Sequence, residues 1–155
     1  MRISFDLDDT LICYDPGVPC EANCVPFYLR SWFEEPLRRG AVDLMKELKR
    51  QGHSLWIYTT SYRSPKQAKR WFKFYGVEID AVINQDLHER FVGRDRFDKY
   101  VSKYPPAFDI DLHVDDLVGV GLEGEEYGFR VVVVSMTDEA WAQRVLKTVQ
   151  QVQLS

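Results

Sequence analysis

The stretch ISFDLDDTL sets Asp6, Asp8, Asp9 and Thr10 at the end of a short apolar run. Like charges this close repel, and desolvating an unpaired carboxylate is costly. The cluster calls for a cation, a set of N–H groups, or a reaction that uses the charge. Similar punctuation recurs downstream. Thr59, Thr60 and Ser61 follow the apolar run LWIY, and Asp115 and Asp116 follow LHV, with Lys99 and Lys103 shortly before. These residue types suit phosphoryl transfer. Carboxylates are hard ligands for Mg²⁺, which commonly takes one or two of them plus substrate phosphate. A carboxylate so aligned can attack phosphorus and form an aspartyl phosphate. A second carboxylate two residues on can protonate the leaving oxygen and later deprotonate water. Hydroxyls and a lysine can neutralise the equatorial oxygens.

Such residues act together only if the fold brings them to one edge. Five short apolar strands are expected at 2–6, 54–59, 79–83, 110–114 and 130–135, with helical patterns between them. Ala41, Leu44, Met45 and Leu48 recur at helical spacing in 41–51, and Gly52 is the stop. In the next helix Ser64 is a candidate N-cap, Pro65 takes the first turn and Gln67 completes a capping-box pattern. Its stripe is Ala68, Trp71, Phe72 and Tyr75, closed by Gly76. A last helix follows Thr137 with Trp141, Val145 and Val149 inward.

Near-continuous apolar strands alternating with helices predict an α/β fold, a three-layer doubly wound sheet of five parallel strands. Ligands of such sheets bind outside the carboxyl ends of the strands, where Asp6, Asp8, Thr10, Thr59, Thr60 and Asp115 all fall. Residues 13–36 carry Pro16, Pro19 and Pro26, all three cysteines and no clear period, and are expected to be a small flap inserted after strand 1. No linker or repeat divides 1–155, so a single domain is expected.

The chain has 155 residues, 45% hydrophobic and 28% charged, in the range of one globular domain. A net charge of −4 gives no overall electrostatic grip on nucleic acid or anionic membrane, though a local basic patch stays open. No run approaches the roughly 18 residues of a membrane span, and the first residues read as a strand rather than a leader. The expected location is cytoplasmic. Cys13, Cys20 and Cys24, an odd set, argue against a disulfide framework and read as reduced structural thiols, with a metal or redox role as the alternative.

The pattern resembles the haloacid dehalogenase superfamily. Its first motif, D-x-D-x-T after an apolar strand, is matched by Asp6-Leu7-Asp8-Asp9-Thr10. The second, a strand ending in Thr or Ser, is matched by Leu55–Thr59, and the fourth, a strand ending in an acidic pair, by Leu112–Asp116. The third, a lysine ahead of the fourth, is Lys103, with Lys99 as the alternative. The resemblance spans about residues 2–135. It implies Asp6 as nucleophile and Mg²⁺ ligand, and Asp8 as general acid/base with its backbone carbonyl on the metal. It implies Thr59 on the transferring phosphoryl group and Lys103 as the neutralising cation. Asp115 and Asp116 would complete the metal site, with Thr10, Thr60 and Arg63 beside the substrate. Asp8 favours a phosphatase or phosphotransferase over the family's ATPases and dehalogenases, and the short insertions resemble its capless members.

The expected function is therefore a Mg²⁺-dependent phosphatase, a phosphomonoester hydrolase acting through an aspartyl phosphate. Its partner would be a phosphorylated substrate, small molecule or macromolecule; nucleic acid is open but not indicated. The alternative is a non-catalytic or regulatory binding protein with this fold. A phospho-acceptor receiver module gathers similar residues, but in a different chain order. Arg63, Lys66, Lys69, Arg70 and Lys73 surround Trp71 and Phe72, either as a solvated helix face or as a basic guide for substrate. His113 reads as a satisfied core histidine, and Tyr28, Trp32 and Phe33 as flap aromatics or core.

Overall fold

A computed structural model of the chain describes residues 1–93 and 100–154. Its strands are β1 (Arg2–Phe5), β2 (Ser54–Tyr58), β3 (Ala81–Ile83), β4 (Leu112–Asp115) and β5 (Val131–Val133). They form one parallel sheet in the order β3-β2-β1-β4-β5. The α/β fold class expected from the alternation is the one observed. Strands β3 and β5 are shorter than the sequence runs that announce them, because the outer residues of each run leave the ladder.

Pleat and helix placement make the three layers. Ile3, Phe5, Leu55, Ile57 and Val114 face one side and join the main core. There they meet α1 (Ala41–Arg50), α2 (Pro65–Phe74) and α5 (Trp141–Leu154) through Leu44, Leu48, Trp71, Phe72, Trp141 and Val145. Full burial of such side chains contributes about 1.5–3 kcal/mol each. The opposite face carries Ser4, Trp56, Tyr58 and His113. It is covered by α3 (Gln85–Val92), α4 (Val118–Tyr127) and a 3-10 turn at Pro105–Phe108, with a smaller apolar cluster of Tyr58, Ile83 and Ile110.

Two helices were not expected. Helix α3 is short and buries Gln85 and His88 beside Val92, so its inner face does not look apolar. Helix α4 carries Gly119, Gly121 and Gly124, which dilute any apolar stripe. The glycines have a packing reason. A Cβ on Gly121 would lie 2.9 Å from Val133, and one on Gly124 would lie 2.7 Å from the Phe129 carbonyl. Helix α4 therefore sits directly on β5. The segment between Thr59 and Lys103 consequently holds one more helix than its sequence pattern suggests. The capping box is also absent: Ser64 stands at the N-cap of α2 without a side-chain bond, and Gln67 reaches instead to the Trp32 carbonyl at 3.3 Å.

Residues 13–36 return to the sheet through bridges Ile12–Leu37 and Cys20–Arg38 and carry a 3-10 turn at Phe27–Trp32. Val25 and Phe33 anchor this flap in the core, whereas Phe27, Tyr28 and Trp32 are exposed. Glu21 ties the flap to α1 by accepting from Gly40 N (2.9 Å) and Val42 N (3.2 Å), an N-cap supplied from outside the helix. The cysteines are free.

Candidate active site

Register places the chemistry. Phe5 pairs with Ile57 on one side and Val114 on the other, so Asp6 stands level with Tyr58 and Asp115. Strands β1 and β4 flank the point where the strand order reverses, the usual ligand crevice of such a sheet. The turn after β1 is tight. The Leu7 carbonyl accepts from Thr10, Leu11 and Ile12 N–H groups, and Asp9 adopts a left-handed conformation with φ 57°. Asp9 is exposed and serves this turn.

Lys103 is buried at the centre. Its Nζ donates to Asp6 Oδ1 at 2.7 Å and to Asp115 Oδ2 at 3.0 Å. One lysine neutralises one of the two carboxylates, and the excess negative charge falls on Asp6. Burial pushes the Asp6 carboxyl up to about 7, against the pull of Lys103 and with Asp115 adding to the rise. Asp115 goes the other way. Burial alone would raise it, but hydrogen bonds from His113 and the charge of Lys103 hold it well below the carboxylate range, helped by Leu117 N–H. Lys103 itself is held protonated: the two carboxylates outweigh the cost of its burial.

His113 does more than fill the core. Its Nε2 lies 3.0 Å from Asp115 Oδ2, and its Nδ1 lies 2.7 Å from Ser4 Oγ. A carboxylate can only accept, so Nε2 carries the proton and Nδ1 accepts from Ser4. Burial keeps this imidazole neutral by lowering its pKa. The backbone at Lys103 is fixed as well. Glu123 of α4 accepts from Ser102 N and Oγ, and Tyr58 Oη accepts from Tyr104 N at 2.9 Å. Sequence reasoning missed Ser4, Tyr58 and Glu123 as supports, since only the fold brings them together.

One carboxylate oxygen from each of Asp6, Asp115 and Asp116 lies within 4.8 Å of the others. Asp116 also accepts from Thr10 Oγ1 at 3.0 Å. An all-oxygen, net-negative set in which burial raises Asp6 and Asp116 fits a hard divalent cation such as Mg²⁺. The cysteines belong to no such cluster among the described residues.

The Asp8 side chain does not join this set. Tyr14 Oη donates to its Oδ1 at 2.6 Å, and Arg63 Nη1 to its Oδ2 at 2.9 Å. Burial would raise its pKa, but those bonds lower it overall. Arg63 also bonds Tyr14 Oη and Glu35, so it joins the start of α2 to the flap. Tyr14 and Glu35 are site residues that no sequence spacing announces. Thr59 is buried, its Oγ1 accepting from Ser61 N at 3.1 Å, whereas Thr60 is exposed. Lys99 lies outside the described residues. Arg38, buried and also unannounced, donates to Ser135 O and Asp138 O and reaches Thr10 O at 3.4 Å, pinning the first turn to the end of β5.

No family model matches the chain, and no curated protein sequence matches it significantly. Solved structures do. Two structures of the Pnkp1/Rnl/Hen1 complex contain a chain that superimposes with TM-scores of 0.55 and 0.54 at 15% and 16% identity, over 88% and 86% of this chain. This chain spans less than half of each, 46% and 42%. The HAD domain of the Legionella pneumophila effector Lem4, an inactive mutant, gives a TM-score of 0.56 at 11% identity, covering 99% of this chain and 94% of the other. A predicted HAD-like hydrolase from Porphyromonas gingivalis gives 0.52 at 14% identity, covering 96% and 97%. The chain shares the fold of these HAD and HAD-like domains.

Proposed function

We propose that this chain is a Mg²⁺-dependent phosphatase that works through an aspartyl phosphate on Asp6. The observation that carries the reading is Lys103, buried and bonded to both Asp6 and Asp115, beside a third carboxylate from Asp116. A buried lysine between two carboxylates is a poor stability device but a good electrostatic cradle for a transferring phosphoryl group.

Asp6, Asp115 and Asp116 would hold the cation, with the Asp8 backbone carbonyl as a further ligand by the family resemblance. When bound, Mg²⁺ would neutralise phosphate oxygens and align them for in-line attack. The Asp6 carboxylate forms a bond to phosphorus as the bond to the leaving oxygen breaks, and Asp8 gives that oxygen a proton. Water then attacks phosphorus while Asp8 takes its proton, and the bond to Asp6 breaks to release phosphate. Lys103 offsets the charge on Asp6 and on the phosphoryl oxygens, and Thr59 supplies a hydrogen bond. In the free protein both Asp8 oxygens accept bonds and its pKa is low, so the acid step needs Arg63 or Tyr14 to let go. Substrate phosphate is a suitable competitor for Arg63.

The short flap leaves the crevice without a large cap, which supports substrates of any size, macromolecules included. One fold neighbour works within an RNA repair complex. The test is hydrolysis of an aryl phosphate with and without Mg²⁺, for wild type and Asp6→Asn. Metal-dependent activity that falls at least about 10³-fold in the variant is expected. Equal activity in both would remove Asp6 as the nucleophile.

A further inference from the structure

The flap and α2 border a trough that starts beside Arg63. Its inner part, about 270 Å³, reaches Arg63, Glu35 and Trp71. Its outer part, about 370 Å³, is lined by Lys66 and Arg70 on α2. Trp32, Phe33 and Gln67 border both parts, so the two adjoin. Arg63 lines the inner end and bonds Asp8 at 2.9 Å, which sets the trough beside the proposed acid.

Two features of the trough lack partners. Trp32 is 72% exposed, although it is the largest apolar side chain on the flap. Lys66 and Arg70 lie one turn apart and are exposed, and neither forms an ion pair among the described residues. Arg63 is shared between Glu35 and Asp8, which leaves the charge of one of that pair and of Glu34 against the two cations.

We infer that this trough binds single-stranded nucleic acid, and that the substrate is the terminal phosphate of such a strand. The strand supplies what the trough lacks: a π-face for Trp32 and successive phosphates for Lys66 and Arg70. Aromatic stacking beside a cationic track is how sequence-tolerant single-strand binding works. The acidic chain as a whole confines that attraction to one face of α2. The substrate half of this inference rests on the phosphatase reading, whereas the binding half does not.

Binding is therefore measured without turnover, by fluorescence anisotropy of a labelled oligothymidylate hexamer that carries no terminal phosphate. Saturable binding is expected to weaken at least about tenfold in Trp32→Ala and in Lys66→Ala/Arg70→Ala. The double variant should also flatten the slope of log affinity against log salt by about 1.4, from two phosphate contacts. Lys73→Ala, a charge on the same helix outside the trough, should bind as wild type does. Binding that is absent, equal in all variants, or matched by a phosphopeptide of equal charge would overturn the inference. Hexamer binding without any aryl phosphate hydrolysis would instead leave the trough standing and remove the phosphatase reading.

Discussion

At the scale of single residues, Lys103 bears the heaviest load. Without it, Asp6 and Asp115 would face each other buried with no cation between them. Replacing Lys103 by Met is expected to destabilise the metal-free protein by about 3–5 kcal/mol. It should also lower the rate of aryl phosphate hydrolysis by about 10²–10³-fold, as loss of a preorganised charge does. Mg²⁺ should restore more stability to the variant than it adds to wild type, because the cation then supplies the missing charge. Urea unfolding with and without Mg²⁺ checks this, and an unchanged midpoint without metal would contradict it. Much of this level was legible in the sequence. Asp6, Lys103, Asp115 and Asp116 are polar residues at or near the ends of apolar runs, and parallel strands leave them one place to go. The supports were not legible. Tyr14, Glu35, Ser4 and Glu123 meet their partners across separate elements, and nothing in their local spacing marks them. His113 was legible only as buried; its bond to Asp115 required the pleat that turns residues 113 and 115 to the same side.

At the scale of elements, the sequence is clearest where an apolar stripe is complete and least clear where backbone packs on backbone. Helices α1, α2 and α5 announce themselves through Leu44, Trp71, Val145 and their neighbours. Helix α4 does not, because Gly121 and Gly124 let it lie against β5 without side chains between. The glycines therefore differ sharply in their tolerance. Gly124→Ala puts a methyl group 2.7 Å from a backbone carbonyl and should cost about 1–3 kcal/mol. Gly119→Ala meets nothing within 4 Å and should stabilise by about 0.5–1 kcal/mol through helix propensity. Thermal unfolding of the two variants reads the contrast. A neutral Gly124→Ala would mean that α4 does not sit where described, and with it Glu123, which braces the Lys103 segment.

At the scale of the whole molecule, pH acts on stability through buried histidines. Burial lowers the pKa of His53, and neither ring nitrogen has a partner among the described residues. The unfolded chain then binds a proton that the folded chain resists. Stability from this group is full above the ordinary value of 6.5 and is lost as pH falls through it. His88 and His113 have the same sign. Asp6, raised to about 7, has the opposite sign: its folded form takes a proton first, so its contribution declines as pH rises toward 7. The clean comparison is thus wild type against His53→Leu. Between pH 7.5 and 5.5, roughly the span of the histidine range, the variant should lose less stability. The difference is bounded by about 1.4 kcal/mol per pH unit for one proton. Identical slopes would mean that His53 is paired or solvated.

The three scales meet in one chemical event, phosphorylation of Asp6. The most direct measurement is acid-quenched mass spectrometry of the wild-type protein within one turnover of an aryl phosphate in the presence of Mg²⁺. The account predicts a single phosphoryl group on the peptide that contains Asp6, lost on longer incubation and absent in Asp6→Asn. Hydrolysis that proceeds with no phosphoryl group on that peptide at any time, or with one on another residue, would contradict the mechanism.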